Sequence, residues 1–132
     1  MVEIASNQKK YILSDGTLVS ISVFAQSNSV NNWCKNPSID LYSDFCGFIN
    51  VDLNGFEKGP NMYGYDTFGF FIYSNKILPF GSSGMTYSDS NISNCLNGTG
   101  GLSCTAWVLT NNNMDYLHCR DKLSWNGKTS CK

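Results

Sequence analysis

Six cysteines constrain the fold of this chain more than any other feature. An even number of cysteines in a chain of 132 residues is typical of a disulfide-stabilised protein. No two of them have the C-x-x-C spacing of a redox or zinc motif, and the chain contains a single histidine. We therefore predict disulfides and an oxidising, extracytoplasmic compartment. Six cysteines allow about fifteen pairing schemes, and we favour the three local loops Cys34–Cys46, Cys95–Cys104 and Cys119–Cys131.

Length and charge narrow the classes of function. A chain of 132 residues fits one domain, so residues 1–132 are predicted to form a single globular unit. Charged residues make up 14% of the chain, below the roughly 25% of an average soluble domain. The net charge is −1, and the basic residues are scattered along the chain. Because phosphate binding needs clustered lysine and arginine, we expect no nucleic-acid partner.

Short runs in which apolar and polar residues alternate predict β-strands. Five strands are expected, at residues 11–13, 17–24, 48–53, 66–73 and 77–80. An Asp-Gly turn at 14–16 predicts that the first two strands form a hairpin. The strand at 66–73 is apolar on both faces, so we expect it to be covered on both sides. The residues expected to face inward from the second and third strands are Val19, Ile21, Val23, Ile49, Val51 and Leu53.

Two helical segments complete the predicted α+β fold. Residues 1–10 are expected to be the end of a helix, with Val2, Ile4 and Ala5 on one side. Residues 104–110 fit either a strand or a short helix. We favour the helix, because Ser103 is a good N-cap residue and the three asparagines that follow would end it.

Few residues point to catalysis, and we expect no enzyme. His118 is the only candidate base, and it stands beside Cys119 in a segment that a disulfide is expected to close. The sequence has no Gly-rich phosphate-binding motif. A secreted hydrolase that uses Asp52, Glu57 or Asp66 is the most distant alternative.

The segment from residue 52 to residue 66 predicts a cation site. Alternating oxygen side chains followed by glycine suit calcium, which prefers several convergent carboxylate and carbonyl oxygens. The spacing differs from that of an EF-hand, and the bidentate glutamate is missing. The predicted ligands are Asp52, Asn54, Asn61 and Asp66. The alternative is an ordered loop without an ion, in which the same aspartates cap backbone amides.

The aromatic residues offer a carbohydrate-binding alternative. Aromatic rings can stack on sugars, although they more often anchor a core or an interface. The candidates for such a platform are Trp33, Tyr63, Tyr65, Tyr87 and Trp125. Two glycosylation sequons begin at Asn91 and Asn97, and loops this rich in Asn and Ser produce them by chance.

The most specific run in the chain is FINVDLNGFEKGPNMYGYDTFGFFI, from Phe48 to Ile72. It contains the pattern Asp-x-Asn-Gly…Gly-Pro-Asn…Gly-x-Asp-x-Phe, and it is followed by CTAWVL at 104–109 and NMDY at 113–116. In this order the parts resemble the globular C-terminal domains of bacterial type IV pilin-like proteins, including the pseudopilins of type II secretion systems. The resemblance runs from about residue 11 to residue 116.

The resemblance implies a long N-terminal helix packed on an antiparallel sheet. In that family the apolar front half of the helix anchors the subunit in the inner membrane and later forms the filament core. This chain lacks that half and the prepilin cleavage motif, so we expect a removed or missing N-terminal segment. The resemblance also implies that the 119–131 loop corresponds to the C-terminal disulfide loop of pilins. Some pseudopilins bind calcium beside the sheet, but none of their ligand positions matches this chain.

The function implied is that of a structural subunit, major or minor, of a type IV pilus or a type II secretion pseudopilus. Its partners would be other subunits of the filament, and the inner membrane before assembly. The alternative is a free-standing secreted adhesion or ligand-binding module without catalytic activity.

Overall fold

The computed structural model describes residues 6–24, 45–73, 76–82, 95–97 and 101–132. Its centre is an antiparallel sheet in which five strands are paired in sequence order. The strands are β1 (Ser6–Ile12), β2 (Leu18–Phe24), β3 (Phe45–Asp52), β4 (Thr67–Tyr73) and β5 (Ile77–Pro79). Two short α-helices, α1 (Cys104–Asn111) and α2 (Tyr116–Cys119), and a 3-10 helix (Arg120–Lys122) follow the sheet in the described part of the chain. Sheet and helices together give the α+β class that the sequence predicts.

The β1–β2 hairpin lies where the Asp-Gly turn predicts it. The amide of Leu13 donates to the carbonyl of Thr17 over 2.8 Å, which closes the turn. Gly16 has a φ of 90°, a conformation that favours glycine. The amide of Thr17 donates to Oδ1 of Asp15 over 3.0 Å, and this hydrogen bond holds the pKa of Asp15 below its ordinary value. The predicted hairpin is confirmed.

Residues 6–10 form a strand, so the helix expected over residues 1–10 is wrong for this part. β1 pairs with β2 along its whole length, from Ser6 opposite Phe24 to Ile12 opposite Leu18. The polar sequence of these residues has no alternation of its own, and pairing with a neighbouring strand determines its conformation. Val2, Ile4 and Ala5 lie outside the described residues.

One face of the sheet carries two apolar rows across β2, β3 and β4. Residues directly opposite each other on neighbouring strands share a face. The first row is Val19, Val51 and Phe68, and the second is Ile21, Ile49 and Phe70. We call these six residues the apolar sheet face. Phe68 is buried and the other five are partly buried. Val19, Ile21, Ile49 and Val51 therefore share one face, as the alternation predicts, but the buried core clusters of the described residues lie on the other face and around α1.

Two residues expected to face inward are exposed instead. Val23 is 45% exposed and lies opposite Gly47, which has no side chain to cover it. Leu53 is 51% exposed, because β3 ends one residue earlier and the alternation of faces ends with it. By contrast Ser22, expected on the solvated face, is buried, since it lies directly opposite Phe48. The alternation therefore predicts the middle of these strands better than their ends.

The opposite face of the sheet packs on Phe80. The rings of Phe71 and Phe80 lie 4.4 Å apart between centroids, and Tyr73 belongs to the same buried cluster. Gly69 makes room for this contact, since a Cβ atom there would lie 2.2 Å from the Phe80 ring. Phe68 on one face and Phe71 on the other are both buried. The prediction that β4 is covered on both sides is confirmed.

The segment after the sheet folds around α1, as the preferred helical interpretation of residues 104–110 predicts. Ser103 precedes the helix, but its side chain makes no capping hydrogen bond. Asn112 ends it in the left-handed conformation, with its amide bonded to the carbonyl of Val108. Trp107, fully buried on this helix, belongs to a second core cluster with Tyr116 and Leu123.

Disulfides join Cys95 to Cys104 and Cys119 to Cys131, two of the three pairings that the sequence predicts. Cys46 is also disulfide-bonded, and Cys34, its predicted partner, lies outside the described residues. Disulfides form and persist in oxidising compartments, so these bridges indicate an extracytoplasmic environment. No helix in the described ranges has the length and apolar character needed to span a bilayer.

Candidate functional site

The last residue of β3 and the loop between β3 and β4 carry the four predicted calcium ligands. Asp66 is buried, and its two carboxylate oxygens accept hydrogen bonds from the loop's own backbone. The amide of Asn61 donates to Oδ2 over 2.9 Å, and the amide of Met62 donates to Oδ1 over 2.8 Å. The Asp66 carboxylate therefore acts as a cap that orders the turn at residues 60–62.

The other three predicted ligands also make hydrogen bonds within the loop. The amide of Asn54 donates to Oδ1 of Asp52 over 3.3 Å, an Asx-type turn. The side-chain amide of Asn61 donates to the carbonyl of Phe56 over 2.6 Å. Asp52 is buried at the end of its strand, whereas Asn54 and Asn61 are exposed. Such contacts are the ones expected in the alternative interpretation, an ordered loop without an ion.

The two aspartates of this loop lie at the same end of the sheet. The amide of Leu53, next to Asp52, donates to the carbonyl of Asp66 over 2.8 Å. Across the described ranges, no three His, Cys, Asp or Glu side chains cluster closely enough to hold a metal ion. Asparagine and backbone oxygens also bind calcium, so the calcium assignment stays a prediction.

The pKa of Asp66 is determined by two opposing effects. Burial alone would raise it, because burial penalises the charged form, but the amide hydrogen bonds from Asn61 and Met62 outweigh burial and lower it. A lowered pKa in the folded state means that the ionised carboxylate stabilises the fold above the unfolded pKa of about 3.9. This contribution is lost as the pH falls below that value and through the lower folded pKa.

Asp66→Asn is expected to destabilise the protein whether or not calcium is present. The substitution replaces a charged acceptor of two amides by a neutral one, and the loss should be about 1–2 kcal/mol in the free energy of unfolding. Urea denaturation at pH 7 in calcium and in EDTA measures it. The wild-type melting temperature in the same two buffers tests the calcium assignment, and equal temperatures would rule the ion out. A stabilisation by calcium that Asp66→Asn removes would instead establish the ion site.

The candidate catalytic residues lie on two elements: His118 on α2, and Asp52, Glu57 and Asp66 at the end of β3 and in the loop that follows it. His118 is exposed on α2, and its amide donates to the carbonyl of Asp115. Glu57 is exposed in the β3–β4 loop, and Asp66 is engaged by the amides described above. The hydrolase alternative therefore rests on a loop whose most buried carboxylate already has a structural role.

The described members of the predicted sugar platform belong to two different clusters. Tyr63 packs near Phe80, with ring centroids 5.9 Å apart, and its hydroxyl donates to Oδ1 of Asn50 over 2.6 Å. Trp125 packs edge-on against Trp107 at 4.8 Å between centroids. Tyr65 is 47% exposed. Tyr63 and Trp125 therefore pack in different clusters, and Trp33 and Tyr87 lie outside the described residues.

A surface that the sequence does not predict lies at the end of the sheet where the β1–β2 turn meets the β3–β4 loop. The carbonyl of Gly16 lies 3.1 Å from where a Cβ of Gly55 would be, and the Thr17 hydroxyl contacts the carbonyl of Leu53. Large apolar side chains on these two segments are between 47% and 79% exposed. We call them the apolar end surface: Ile12 (79% exposed), Leu13 (49%), Leu53 (51%), Phe56 (73%), Met62 (51%) and Tyr65 (47%).

A second feature missed by the sequence ties the β3–β4 loop to the C-terminal cluster. The hydroxyl of Tyr116 donates to the carbonyl of Gly64 over 2.6 Å, across 52 residues of sequence. Gly64 and Gly101 pass each other so closely that a Cβ on Gly101 would lie 1.8 Å from the carbonyl oxygen of Tyr63. In the sequence, only the presence of glycine at both positions indicates that another segment packs closely there. It does not indicate which segment that is.

The chain matches no protein-family model, and comparison with curated proteins and with solved structures gives no significant match.

Proposed function

We propose that this chain is a structural subunit of a type IV pilus or of a type II secretion pseudopilus, and that it has no catalytic activity. The observation that carries the proposal is the apolar sheet face, considered together with the sequence pattern at 52–68. A pilin-like subunit needs an antiparallel sheet with one apolar face, because its N-terminal helix packs there.

The dimensions of the apolar sheet face suit a single helix. Each of its two rows runs across three strands. Because neighbouring strands lie about 4.8 Å apart, the distance from the first strand to the third is about 10 Å. An α-helix with its side chains is about 10–12 Å in diameter. β-branched and aromatic residues fill both rows, and such side chains give a helix a well-defined surface to pack against.

The apolar end surface supports the assembly role. Exposed apolar side chains that cluster on a small domain mark a contact with another molecule more often than isolated ones do. In a filament the occupant of this surface is a second copy of the chain or a related subunit. The two described disulfides support the same proposal, since they stabilise a domain that stands outside the cytoplasm.

The test is to express the full-length gene in a piliated bacterium and to shear filaments from the cells. We expect the gene to encode about 20 consecutive apolar residues upstream of residue 1, and the sheared filaments to contain the protein. Phe56→Ser on the apolar end surface should lower the filament yield several-fold. Leu109→Ser is the matched control, because Leu109 is 56% exposed on α1, and it should leave the yield unchanged.

An ordinary cleaved signal peptide, with the protein recovered from the medium as a monomer, would contradict the proposal. That result would favour the second candidate, a secreted adhesion or ligand-binding module, for which the apolar end surface would contact a ligand.

A further inference from the structure

A cavity of about 400 Å³, open to solvent on one side, lies beside the C-terminal core cluster. Leu96 and Leu117 form its apolar wall, and Asn97, His118, Arg120 and Asp121 supply its polar groups. The remaining lining residue is Tyr116. Size and mixed lining suit a small ligand that has one polar end and one apolar end.

Several contacts hold the cavity in shape. Tyr116 is 2% exposed and fixed through its hydroxyl to Gly64, and the guanidinium carbon of Arg120 lies 6.0 Å from the centroid of its ring. That distance is within the range of a cation–π contact. Leu96 follows Cys95 and Arg120 follows Cys119, so a disulfide stands next to the cavity on each side. A pre-formed cavity needs little ordering when a ligand binds.

Arg120 is the group that indicates the ligand. Its Nε–H is buried and has no hydrogen-bond partner among the residues that the structure describes. An unpaired buried donor is unfavourable, and a buried donor on a charged group is especially so. Guanidinium N–H groups form a planar fork that matches the two oxygens of a carboxylate or a phosphate. A small movement of the side chain toward such an acceptor would satisfy the unpaired group.

The charges of the lining favour a monoanion over a dianion. Among the described residues of the lining, Arg120 is the one permanent cation, and Asp121 lines the same cavity. A second negative charge on the ligand would be repelled by Asp121 with no further cation to balance it. The two leucines in the wall favour an aliphatic group next to the anion. Both features suit a carboxylic acid with a branched aliphatic side chain better than inorganic phosphate.

We propose that this cavity binds the carboxylate of an aliphatic ligand through Arg120, with Leu96 and Leu117 around its apolar part. The carboxylate can belong to a free small acid or to the C-terminus of a peptide that ends in an aliphatic residue. Both sources share the same recognition chemistry, and the experiment separates them.

The test is a titration of the ¹⁵N-labelled full chain followed by NMR, with isovalerate, isovaleramide and inorganic phosphate as separate probes. Isovalerate should shift the backbone amides of residues 96–97 and 116–121 in a saturable way. Isovaleramide has the same shape without the charge, and it should bind at least tenfold more weakly. Phosphate should also bind more weakly than isovalerate. Equal shifts with the acid and the amide, or tighter binding of phosphate, would overturn the proposal without any variant.

Variants of neighbouring cations test the role of Arg120. R120Q should abolish saturable binding of isovalerate, and R120K, which keeps the charge but not the fork, should weaken it several-fold. K122Q is the matched control, because Lys122 is exposed and does not line the cavity. It should bind like the wild type, and binding retained by R120Q or lost by K122Q would overturn the proposal. In the wild type, acetyl-Gly-Leu with a free carboxylate, compared with isovalerate, separates the sources: the tighter ligand identifies the peptide end or the small acid.

Discussion

Trp107→Ala is expected to lower the free energy of unfolding by about 3–5 kcal/mol, the usual cost of removing a large buried aromatic side chain. Trp107 is fully buried on α1 and packs edge-on against Trp125. Because a small domain has a total stability of about 5–15 kcal/mol, this loss should remove at least about a fifth of it. Urea denaturation followed by circular dichroism measures the change.

The loss should exceed that of a simple cavity, because Trp107 also holds a hydrogen-bond network. Its Nε1–H donates to Oδ1 of Asn113 over 3.0 Å, and the side-chain amide of Asn113 donates to the carbonyls of Asn111 and Thr129. Through Asn113 the tryptophan therefore fixes the chain near the second disulfide. Trp107→Phe keeps most of the packing but not the hydrogen bond, so it should cost about 1–2 kcal/mol.

Leu109→Ala is the matched control on the same helix. Leu109 is 56% exposed, and an exposed substitution of this kind usually changes stability by less than about 0.5 kcal/mol. If Trp107→Ala cost no more than Leu109→Ala, the cluster around α1 would not be a core of the protein, and the shape of the adjoining cavity would have no structural basis.

Sequence patterns predict those elements of the fold that are determined by residues close together in the sequence. The Asp-Gly turn at 14–16 and the alternation of Val19 and Ile21 each describe residues that are close in sequence, and the hairpin and the shared face of these two residues are found as predicted. Residues 6–10 have no such pattern. Their strand is determined by partners up to 18 residues away, as Ser6 opposite Phe24 shows, and single-residue propensities do not contain that information.

The functional surfaces were predictable to different degrees. The many oxygen-bearing side chains of the β3–β4 loop let the sequence predict a candidate site there. Only the folded geometry reveals that the carboxylate of Asp66 accepts hydrogen bonds from amides of its own loop. The cavity at Arg120 could not be predicted, because residues 96–97 and 116–121 come together only in the folded chain. Arg120 in the sequence is an ordinary surface cation, and its unpaired Nε–H exists only in three dimensions.

The double variant Cys95→Ala/Cys104→Ala is expected to lower the free energy of unfolding by about 4 kcal/mol. Loop closure in the unfolded chain accounts for about 3 kcal/mol of this. The rest comes from packing, since both cysteines are fully buried in the cluster with Trp107 and Tyr116, and alanine leaves small cavities in their place.

Cys119→Ala/Cys131→Ala separates these two contributions. The bridges span 9 and 12 residues of sequence, and loop entropy makes the longer one more stabilising by only about 0.2 kcal/mol. If entropy alone mattered, removing the Cys119–Cys131 bridge would be the slightly more destabilising change, by about 0.2 kcal/mol. Cys119 and Cys131 are only partly buried, so their removal should cost about 3 kcal/mol, and the Cys95–Cys104 variant should be the less stable of the two in urea at pH 7. The reverse order would mean that the sulfur atoms of the inner bridge contribute little to the packing around Trp107.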